Sequence, residues 1–192
     1  MGQFTLPKDG GLIEEGLPLG IKHTYERIPV HIYEDEEIAS AELADEIVGL
    51  INSSEGIFKL GLSTGSSPVA LYQELVKRYE EGKVSFANVE VFSIDEYYPA
   101  PAKSQSRNRR LYSEFLEKVD VDMANVHIPS FENVVETTAV TEYCAEFDRK
   151  ATGLDFLVMG IGSHGEVGFN EEGASEKSRT RTVLLSYNSR KR

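Results

Sequence analysis

Short apolar runs alternate with stretches of helical periodicity along most of this chain, and that alternation is the strongest constraint on its fold. Strand-like runs occur at residues 30–34, 57–63, 88–94, 126–129, 154–162 and 182–186. Apolar side chains recur at helical spacing after Asp35, after Pro68, over residues 108–119 and over residues 138–151. Such alternation is typical of βαβ units. The sequence therefore predicts an α/β fold: an open, mainly parallel, doubly wound, Rossmann-like sheet with helices on both faces.

The length and apolar content of the chain favour one domain. It has 192 residues, of which 40% are hydrophobic, and a chain of that size can bury one substantial core. Residues 1–28 are rich in Gly, Pro and charged residues and lack a sustained period, which predicts an N-terminal arm or irregular lead-in. Residues 29–192 are then expected to form the α/β domain, within which the nearly uninterrupted apolar run at 154–159 predicts a strand buried on both faces.

The net charge of −12 argues against two classes of partner, because an acidic surface repels both nucleic acid phosphates and anionic lipid. No run approaches the roughly 20 apolar residues that a membrane span needs, and no basic-then-apolar signal peptide is visible at the start. We therefore expect a small-molecule partner, no nucleic acid, no membrane and a cytoplasmic location. The sequence leaves open a homo-oligomer.

Metal and disulfide chemistry find no support in the residue spacing. The single cysteine, Cys144, has no partner for an internal disulfide. The four histidines and the scattered carboxylates lack the spacing of zinc or calcium sites. No metal is expected.

The first candidate binding loop follows the strand at residues 57–63, because ligands of doubly wound sheets bind at the carboxyl ends of strands. This loop, GLSTGSSP at residues 61–68, is rich in Gly, Ser and Thr and precedes a predicted helix. Small residues let an anion approach backbone N–H groups, and a helix N-terminus adds partial positive charge. The loop lacks the Lys of a P-loop. Phosphate binding and an ordinary strand-to-helix turn both remain open on this pattern alone.

The second loop, SIDEYYP at residues 93–99, places two carboxylates just beyond a buried strand. Asp95 is a candidate base with Glu96 as its neighbour, although acidic residues at strand ends are also common as solvated caps. Downstream, Arg107, Arg109 and Arg110 form a basic cluster. Because the net charge is strongly negative and no aromatic platform is interleaved, a solvated helix face is favoured there over a nucleic-acid patch.

The third loop, MGIGSHGEVGFNEEG at residues 159–173, contains the spacing G-x-G-x-x-G. A dinucleotide fingerprint belongs to the first βα turn and opens a helix. This one comes late in the chain and continues into a stretch with further glycines and no helical period, so neither a nicotinamide nor a flavin cofactor is expected. What remains is a loop whose side chains form a plausible acid/base cluster, namely His164, Glu166, Glu171 and Glu172.

Taken together, GLSTGSSPVALYQEL, VSFANVEVFSIDEYYP, GIGSHGEVGFNEEG and SRTRTVLL resemble the glucosamine-6-phosphate isomerase/deaminase family, whose wider relatives include 6-phosphogluconolactonase. The resemblance runs from about residue 30 to the last residue, and FNEEG followed by SRTR is similar to the deaminase branch. It implies an open α/β fold and conversion of glucosamine 6-phosphate to fructose 6-phosphate and ammonia in amino-sugar catabolism, with no metal or organic cofactor. A lactonase-like hydrolase and a catalytically impaired sugar-phosphate-binding relative are the alternatives.

The resemblance also implies a role for individual residues. Asp95 would take the proton from C2 of the opened sugar, and Glu171 matches the carboxylate that supports the ring-opening group. The sugar phosphate would be held by Thr64, Gly65, Ser66 and Ser67.

Two departures from the family pattern lead to further expectations. The family's third loop reads Asp-Gly-His where this chain has His164, Gly165 and Glu166. We therefore expect Glu166 to act as the proton shuttle of ring opening, with His164 as its neighbour. Family chains also continue well past the position of Arg192, so the domain is expected to be truncated at its C-terminus.

Overall fold

The computed structural model describes residues 31–99, 101–129, 137–175 and 177–186. Within them helices and strands alternate in the order α1 (Glu36–Ser53), β1 (Phe58–Leu62), α2 (Val69–Glu80), β2 (Val89–Ser93), α3 (Arg109–Glu114), β3 (Val126–His127), α4 (Thr137–Lys150) and β4 (Phe156–Leu157). Single 3₁₀ turns lie at Lys103–Gln105, Leu116–Lys118 and Met123–Asn125. The predicted lead-in, residues 1–28, lies outside the described residues.

The four strands form one parallel sheet in the order β3-β2-β1-β4. Phe58 of β1 lies opposite Val89 of β2, and Leu60 lies opposite Phe156 of β4. The direction of strand order reverses between β1 and β4. In open α/β sheets this reversal creates a crevice at the carboxyl ends of the strands, where ligands bind. The loops that follow β1, β2 and β4 are therefore at the edge of the sheet where a site is expected.

Helices cover both faces of the sheet, as predicted. Alternate side chains of a strand point to opposite faces. Leu60 and its equivalents on β1 and β2 are buried in the core formed with α1, α2 and α3. On the other face, the ring of Phe92 lies 6.1 Å from the ring of Phe147 in α4, and Lys59 donates to the backbone oxygen of Lys150 at 2.9 Å. The predicted open, doubly wound Rossmann-like architecture is confirmed.

The two helices that precede and follow β1 are tied together by a buried arginine. Asp35 caps α1 by accepting from the backbone N–H of Ile38 at 2.8 Å. In α2, Arg78 is only 7% exposed and donates through Nε to Asp45 of α1 and through Nη1 to Glu74, each at 2.6 Å. Pairing and hydrogen bonding compensate the desolvation of a buried charge, so this contact fixes α2, and with it the loop at its N-terminus, against α1.

Three predicted strands differ from the structure. Residues 31–34 and 182–186 pair with no strand within the described ranges, and an isolated run of strand-like composition gains no ladder hydrogen bonds. The run at 154–162 contributes only the two residues of β4, which is an edge strand among the residues that the structure describes. Leu157 is 39% and Met159 53% exposed, so the expectation of burial on both faces is wrong there. None of the described helices is long and apolar enough to cross a membrane.

Candidate active site

The loop between β1 and α2 begins with a backbone that is fixed from the helix side. The hydroxyl group of Tyr72, one turn into α2, donates to the carbonyl oxygen of Ser63. Gly65 has a φ of +89°, in the left-handed region that glycine adopts at little cost. Pro68 occupies the N-cap position of α2 and makes no side-chain capping hydrogen bond. No side chain at the N-cap position therefore accepts from the N–H groups of the first turn of α2.

The backbone donors of this loop have no acceptor among the described residues. Ser66 and Ser67 are exposed, and the backbone N–H groups of residues 65–67 donate to no described residue. The first turn of α2 carries no acidic side chain. Free N–H groups at a helix N-terminus attract anions. The geometry thus supports an anion cradle over an ordinary turn at this position.

Asp95 lies two residues beyond β2 and is buried, with 7% of its surface exposed. One carboxylate oxygen, Oδ1, accepts from the hydroxyl group of Thr64. The other, Oδ2, is buried and has no hydrogen-bond partner among the described residues. Burial raises the pKa of Asp95, and the Thr64 hydrogen bond and the nearby Arg107 charge only partly offset it. A carboxylate with raised pKa and a free oxygen is suited to accept a proton from a bound molecule.

Glu96, the next residue, has the opposite environment. It accepts from the Ser106 hydroxyl group, the Arg107 N–H at 3.0 Å and the Asn108 side-chain amide at 3.0 Å, and also from its neighbour's N–H at 2.8 Å. Burial alone would raise the pKa of Glu96, but these hydrogen bonds lower it overall. Glu96 is therefore an anchor that holds residues 106–108 against the end of β2, and not a second base.

Asn108 completes that anchor from inside the protein. It is fully buried, its amide group donates to the backbone oxygen of Asp95 at 2.9 Å, and its oxygen accepts from the Ser93 hydroxyl group. The fully paired amide holds the backbone at Asp95 in place. Sequence reasoning missed this residue, because a helix-start asparagine is equally typical of a solvent-exposed cap.

Arg107 is the second residue that sequence reasoning missed, and the expectation of a solvated helix face is wrong for it. Arg109 and Arg110 are exposed, but the side chain of Arg107 is only 28% exposed, with Nε 3.7 Å from Oδ1 of Asp95. A Cβ atom at Gly65 would lie 3.6 Å from its Nη2. Arg107 thus lies between the Thr64–Ser67 loop and the candidate base. Arg107 follows Glu96 by 11 residues, and no signal in the sequence separates it from the two exposed arginines.

The third loop covers these groups. Gly168 has a φ of +59°, and a Cβ atom there would lie 3.7 Å from Oδ2 of Asp95. The ring of Phe169 lies 5.2 Å from Cζ of Arg107 and 5.5 Å from the ring of Tyr97. The loops after β1, β2 and β4 therefore meet around one carboxylate and one guanidinium group, which the sheet topology predicts.

The other predicted acid/base residues make hydrogen bonds within the third loop or to the run at residues 182–186. Oε2 of Glu166 accepts from the backbone N–H of His164 at 2.9 Å, and the exposed imidazole of His164 lies 3.1 Å from the Ser163 hydroxyl group. Glu171 accepts from the hydroxyl group of Ser186 at 2.8 Å. The structure thus brings Thr64 and Asp95 together, whereas the roles of Glu166, His164 and Glu171 stay predictions.

The described residues also bear on cofactors. No group of three or more His, Cys, Asp or Glu side chains in the described ranges could hold a metal ion. The groups of the site that can contact a bound molecule are the N–H groups of residues 65–67, the guanidinium group of Arg107 and Oδ2 of Asp95. Such a set suits a phosphorylated small molecule with an acidic proton.

Comparison with known proteins agrees with this geometry. Over 158 residues the chain is 36% identical to a glucosamine-6-phosphate isomerase of Candida albicans, covering 80% of this chain and 62% of that protein. Over 166 residues it is 40% identical to a glucosamine-6-phosphate deaminase of Beutenbergia cavernae, covering 84% and 62%. A solved monomeric glucosamine-6-phosphate deaminase superposes with a TM-score of 0.73 at 27% identity, covering 82% of this chain and 65% of that one.

The chain therefore spans a little under two thirds of the length of these relatives. Residues 34–191 match the family model described as glucosamine-6-phosphate isomerases/6-phosphogluconolactonase. That match extends over most of the sequence, and so the chain belongs to the glucosamine-6-phosphate isomerase/6-phosphogluconolactonase family.

Proposed function

We propose that this protein converts glucosamine 6-phosphate and water to fructose 6-phosphate and ammonia. The observation that carries the proposal is the free, buried Oδ2 of Asp95 beside an anion-binding loop. Aldose–ketose isomerisation needs one carboxylate that faces two adjacent carbons, together with a grip on the distant phosphate. The names of the two relatives quoted above favour the deaminase reaction over lactone hydrolysis.

The phosphate occupies the loop formed by Thr64, Gly65, Ser66 and Ser67. The N–H groups of residues 65–67 donate to no described residue, and charge-assisted hydrogen bonds from such groups to phosphate are among the strongest that proteins make. Thr64 also donates to Asp95, so the phosphate loop and the base are joined by one hydrogen bond. Binding at the loop thereby fixes the sugar relative to Asp95.

Oδ2 of Asp95 removes the proton from C2 of the open-chain sugar. The electron pair of that C–H bond forms the C1–C2 double bond, and the C1 carbonyl oxygen gains a proton to become a hydroxyl group. Return of the proton to C1 moves the double bond to C2 and its nitrogen, giving an imine. Water then adds to C2, and nitrogen leaves as ammonia. The raised pKa of Asp95 brings its basicity nearer to neutral pH.

Ring opening precedes these steps, because the closed sugar has no carbonyl group. We assign the proton shuttle to Glu166, whose carboxylate is oriented by the N–H of His164. His164 is the alternative shuttle from the neighbouring position, since an imidazole ring can both accept and donate a proton. Glu171 supports the shuttle, and Ser186 orients it.

A coupled assay for ammonia and fructose 6-phosphate tests the proposal, with deuterium exchange at C2 in heavy water as the direct readout of the base. Asp95→Asn keeps the shape of the side chain and removes the proton acceptor. Loss of a general base typically slows the reaction by about 10²- to 10⁴-fold, so exchange should fall by that factor while substrate binding survives. Glu117→Gln removes an exposed carboxylate in the 3₁₀ turn after α3 and should leave exchange unchanged.

The alternatives give different results in the same assays. Undiminished C2 exchange in Asp95→Asn removes Asp95 from the mechanism. Hydrolysis of 6-phosphogluconolactone without ammonia release would show a lactonase in place of a deaminase. Binding of glucosamine 6-phosphate without turnover would show a catalytically impaired relative. A cytoplasmic location and a homo-oligomer stay predictions.

A further inference from the structure

Hydrogen bonds to Glu96 hold the backbone at Arg107 in one position. Its N–H donates to Oε1 of Glu96 at 3.0 Å. The residues on either side, Ser106 and Asn108, also donate to Glu96, and Asn108 is fully buried. This segment precedes α3 and is fixed to the end of β2 rather than to α3 alone. The direction in which Arg107 leaves the backbone is therefore set by the protein.

The guanidinium group of Arg107 lies close to Asp95, Phe169 and Gly65. Nε lies 3.7 Å from Oδ1 of Asp95, and Cζ lies 5.2 Å from the centre of the Phe169 ring. The terminal nitrogen Nη2 would be 3.6 Å from a Cβ atom at Gly65. The ring supplies a favourable cation–π contact. The terminal end of the guanidinium group faces the loop that presents free N–H groups.

The guanidinium group forms an ion pair with Asp95 but no hydrogen bond of ordinary length with a described residue. Nε is buried without a hydrogen-bond partner, and no hydrogen bond from Nη1 or Nη2 to a described residue is present. The approach to Asp95 at 3.7 Å exceeds the usual hydrogen-bond distance of about 2.7–3.2 Å. Buried donors are nearly always paired in native proteins. Nε of Arg107 and Oδ2 of Asp95 are buried without a hydrogen-bond partner, and the terminal guanidinium donors are available to a bound molecule.

The charge of the loop points to the chemistry of that ligand. Residues 64–67 are uncharged, and the protein carries a net charge of −12. A phosphate dianion brought to this surface needs a cation close to the loop. Arginine presents paired N–H groups that match phosphate oxygens and is less strongly hydrated than lysine. Arg107 is the cation that the described structure places against this loop.

We propose that Arg107 binds the phosphate group of the substrate together with the Thr64–Ser67 loop, and so makes the site specific for phosphorylated sugars. The identity of the sugar rests on the proposed function. The binding of phosphate by Arg107 does not depend on it. The contact of Nε with Asp95 also keeps the bound phosphate and the proton acceptor at a set separation. Arg107 is thus a substrate-binding residue contributed by the segment before α3.

Calorimetric titration tests this with inorganic phosphate, glucosamine 6-phosphate and glucosamine. A hydrogen bond to a charged group contributes enough that its loss weakens binding by about 10- to 100-fold. Arg107→Gln should therefore weaken binding of both phosphorylated probes by that factor and leave glucosamine unchanged. Arg107→Lys keeps the charge without the paired donors and should be intermediate. Arg110→Gln removes an exposed cation on α3 and should bind all three like the unaltered protein.

Equal phosphate affinity in Arg107→Gln and the unaltered protein overturns the proposal, as does an unaltered protein that binds no phosphate. A variant that binds phosphate normally but shows a shifted pH profile of C2 exchange makes Arg107 only a counter-ion of Asp95, which also overturns it. If Arg107→Gln loses phosphate and the unaltered protein releases no ammonia, the Arg107 assignment stands and deamination fails. The experiments therefore test phosphate binding by Arg107 and deamination independently.

Discussion

The hydroxyl group of Tyr72 connects the stability of the fold to the loop that we propose binds phosphate. Tyr72 is fully buried, its ring stacks on Phe115 with centroids 5.9 Å apart, and its hydroxyl group donates to the carbonyl oxygen of Ser63. Ser63 is itself 6% exposed and precedes Thr64. Burial, and then the negative charge of Asp95, raise the pKa of Tyr72, so the hydroxyl group stays protonated as a donor.

The substitution Tyr72→Phe retains the ring and removes only that hydrogen bond. Because the ring packing is unchanged, the cost is that of leaving the Ser63 carbonyl oxygen buried without its donor, about 1–3 kcal/mol. For a domain of this size 1 kcal/mol shifts the thermal midpoint by about 2–4 °C, so Tyr72→Phe should melt about 2–12 °C lower. The loosened backbone before Thr64 should also weaken phosphate binding.

Urea and thermal unfolding measure this effect, with Tyr79→Phe as the matched control. Tyr79 lies two turns further along α2, is half-buried, and its hydroxyl group has no partner in the described part of the chain. Removing it should change the free energy of unfolding by less than about 0.5 kcal/mol. If Tyr72→Phe and Tyr79→Phe unfold at the same urea concentration with equal slopes, the Ser63 hydrogen bond contributes nothing and the link to the loop is refuted.

The adjacent carboxylates should give opposite pH dependences of stability. Burial raises the pKa of Asp95, so ionised Asp95 costs stability as pH rises through its folded-state pKa. In urea titrations at pH 7, Asp95→Asn should have a larger free energy of unfolding than the unaltered protein. This difference should vanish at about pH 4, the pKa of an unfolded Asp. A less stable variant at pH 7 would contradict this. Hydrogen bonds lower the pKa of Glu96 against the effect of burial. Ionised Glu96 therefore stabilises the fold above its unfolded-state pKa, and this stabilisation is lost as pH falls through its folded-state pKa. Glu96→Gln should melt lower at pH 7 and approach the unaltered protein in acid, and a deficit that is constant with pH would argue against a charge effect.

Much of the fold follows from local pattern. The helix after Asp35 and the strands at 57–63 and 88–94 were predicted close to their observed bounds, because their apolar spacing, caps and central positions all favour the same structure. The runs at 30–34 and 182–186 have strand-like composition, but the described residues 31–34 and 182–186 have no neighbouring strand in the described ranges. A strand exists only where another strand supplies its hydrogen bonds, and that information is not local.

The site was predictable where it depends on strand ends. Thr64 and Asp95 follow neighbouring parallel strands, so their meeting at one edge of the sheet follows from topology. Arg107 lies at the end of a loop that folds back through hydrogen bonds to Glu96. Nothing in the spacing of the arginines distinguishes the one that turns inward from the two that remain exposed. Side-chain direction in such a loop depends on long-range contacts, which composition does not encode.

The different environments of Asp95 and Glu96 explain how two consecutive carboxylates take different roles. Four donors surround Glu96, so its charge is fully used in holding the segment that carries Arg107. Asp95 receives one hydrogen bond from Thr64 and keeps Oδ2 free. Pairs of titratable groups whose surroundings push their pKa values apart mark which one transfers protons. Because the anchor at Glu96 also sets the position of Arg107, weakening it should displace the cation, which lowers the pKa of Asp95, and leave the Thr64 hydrogen bond to oppose the effect of burial.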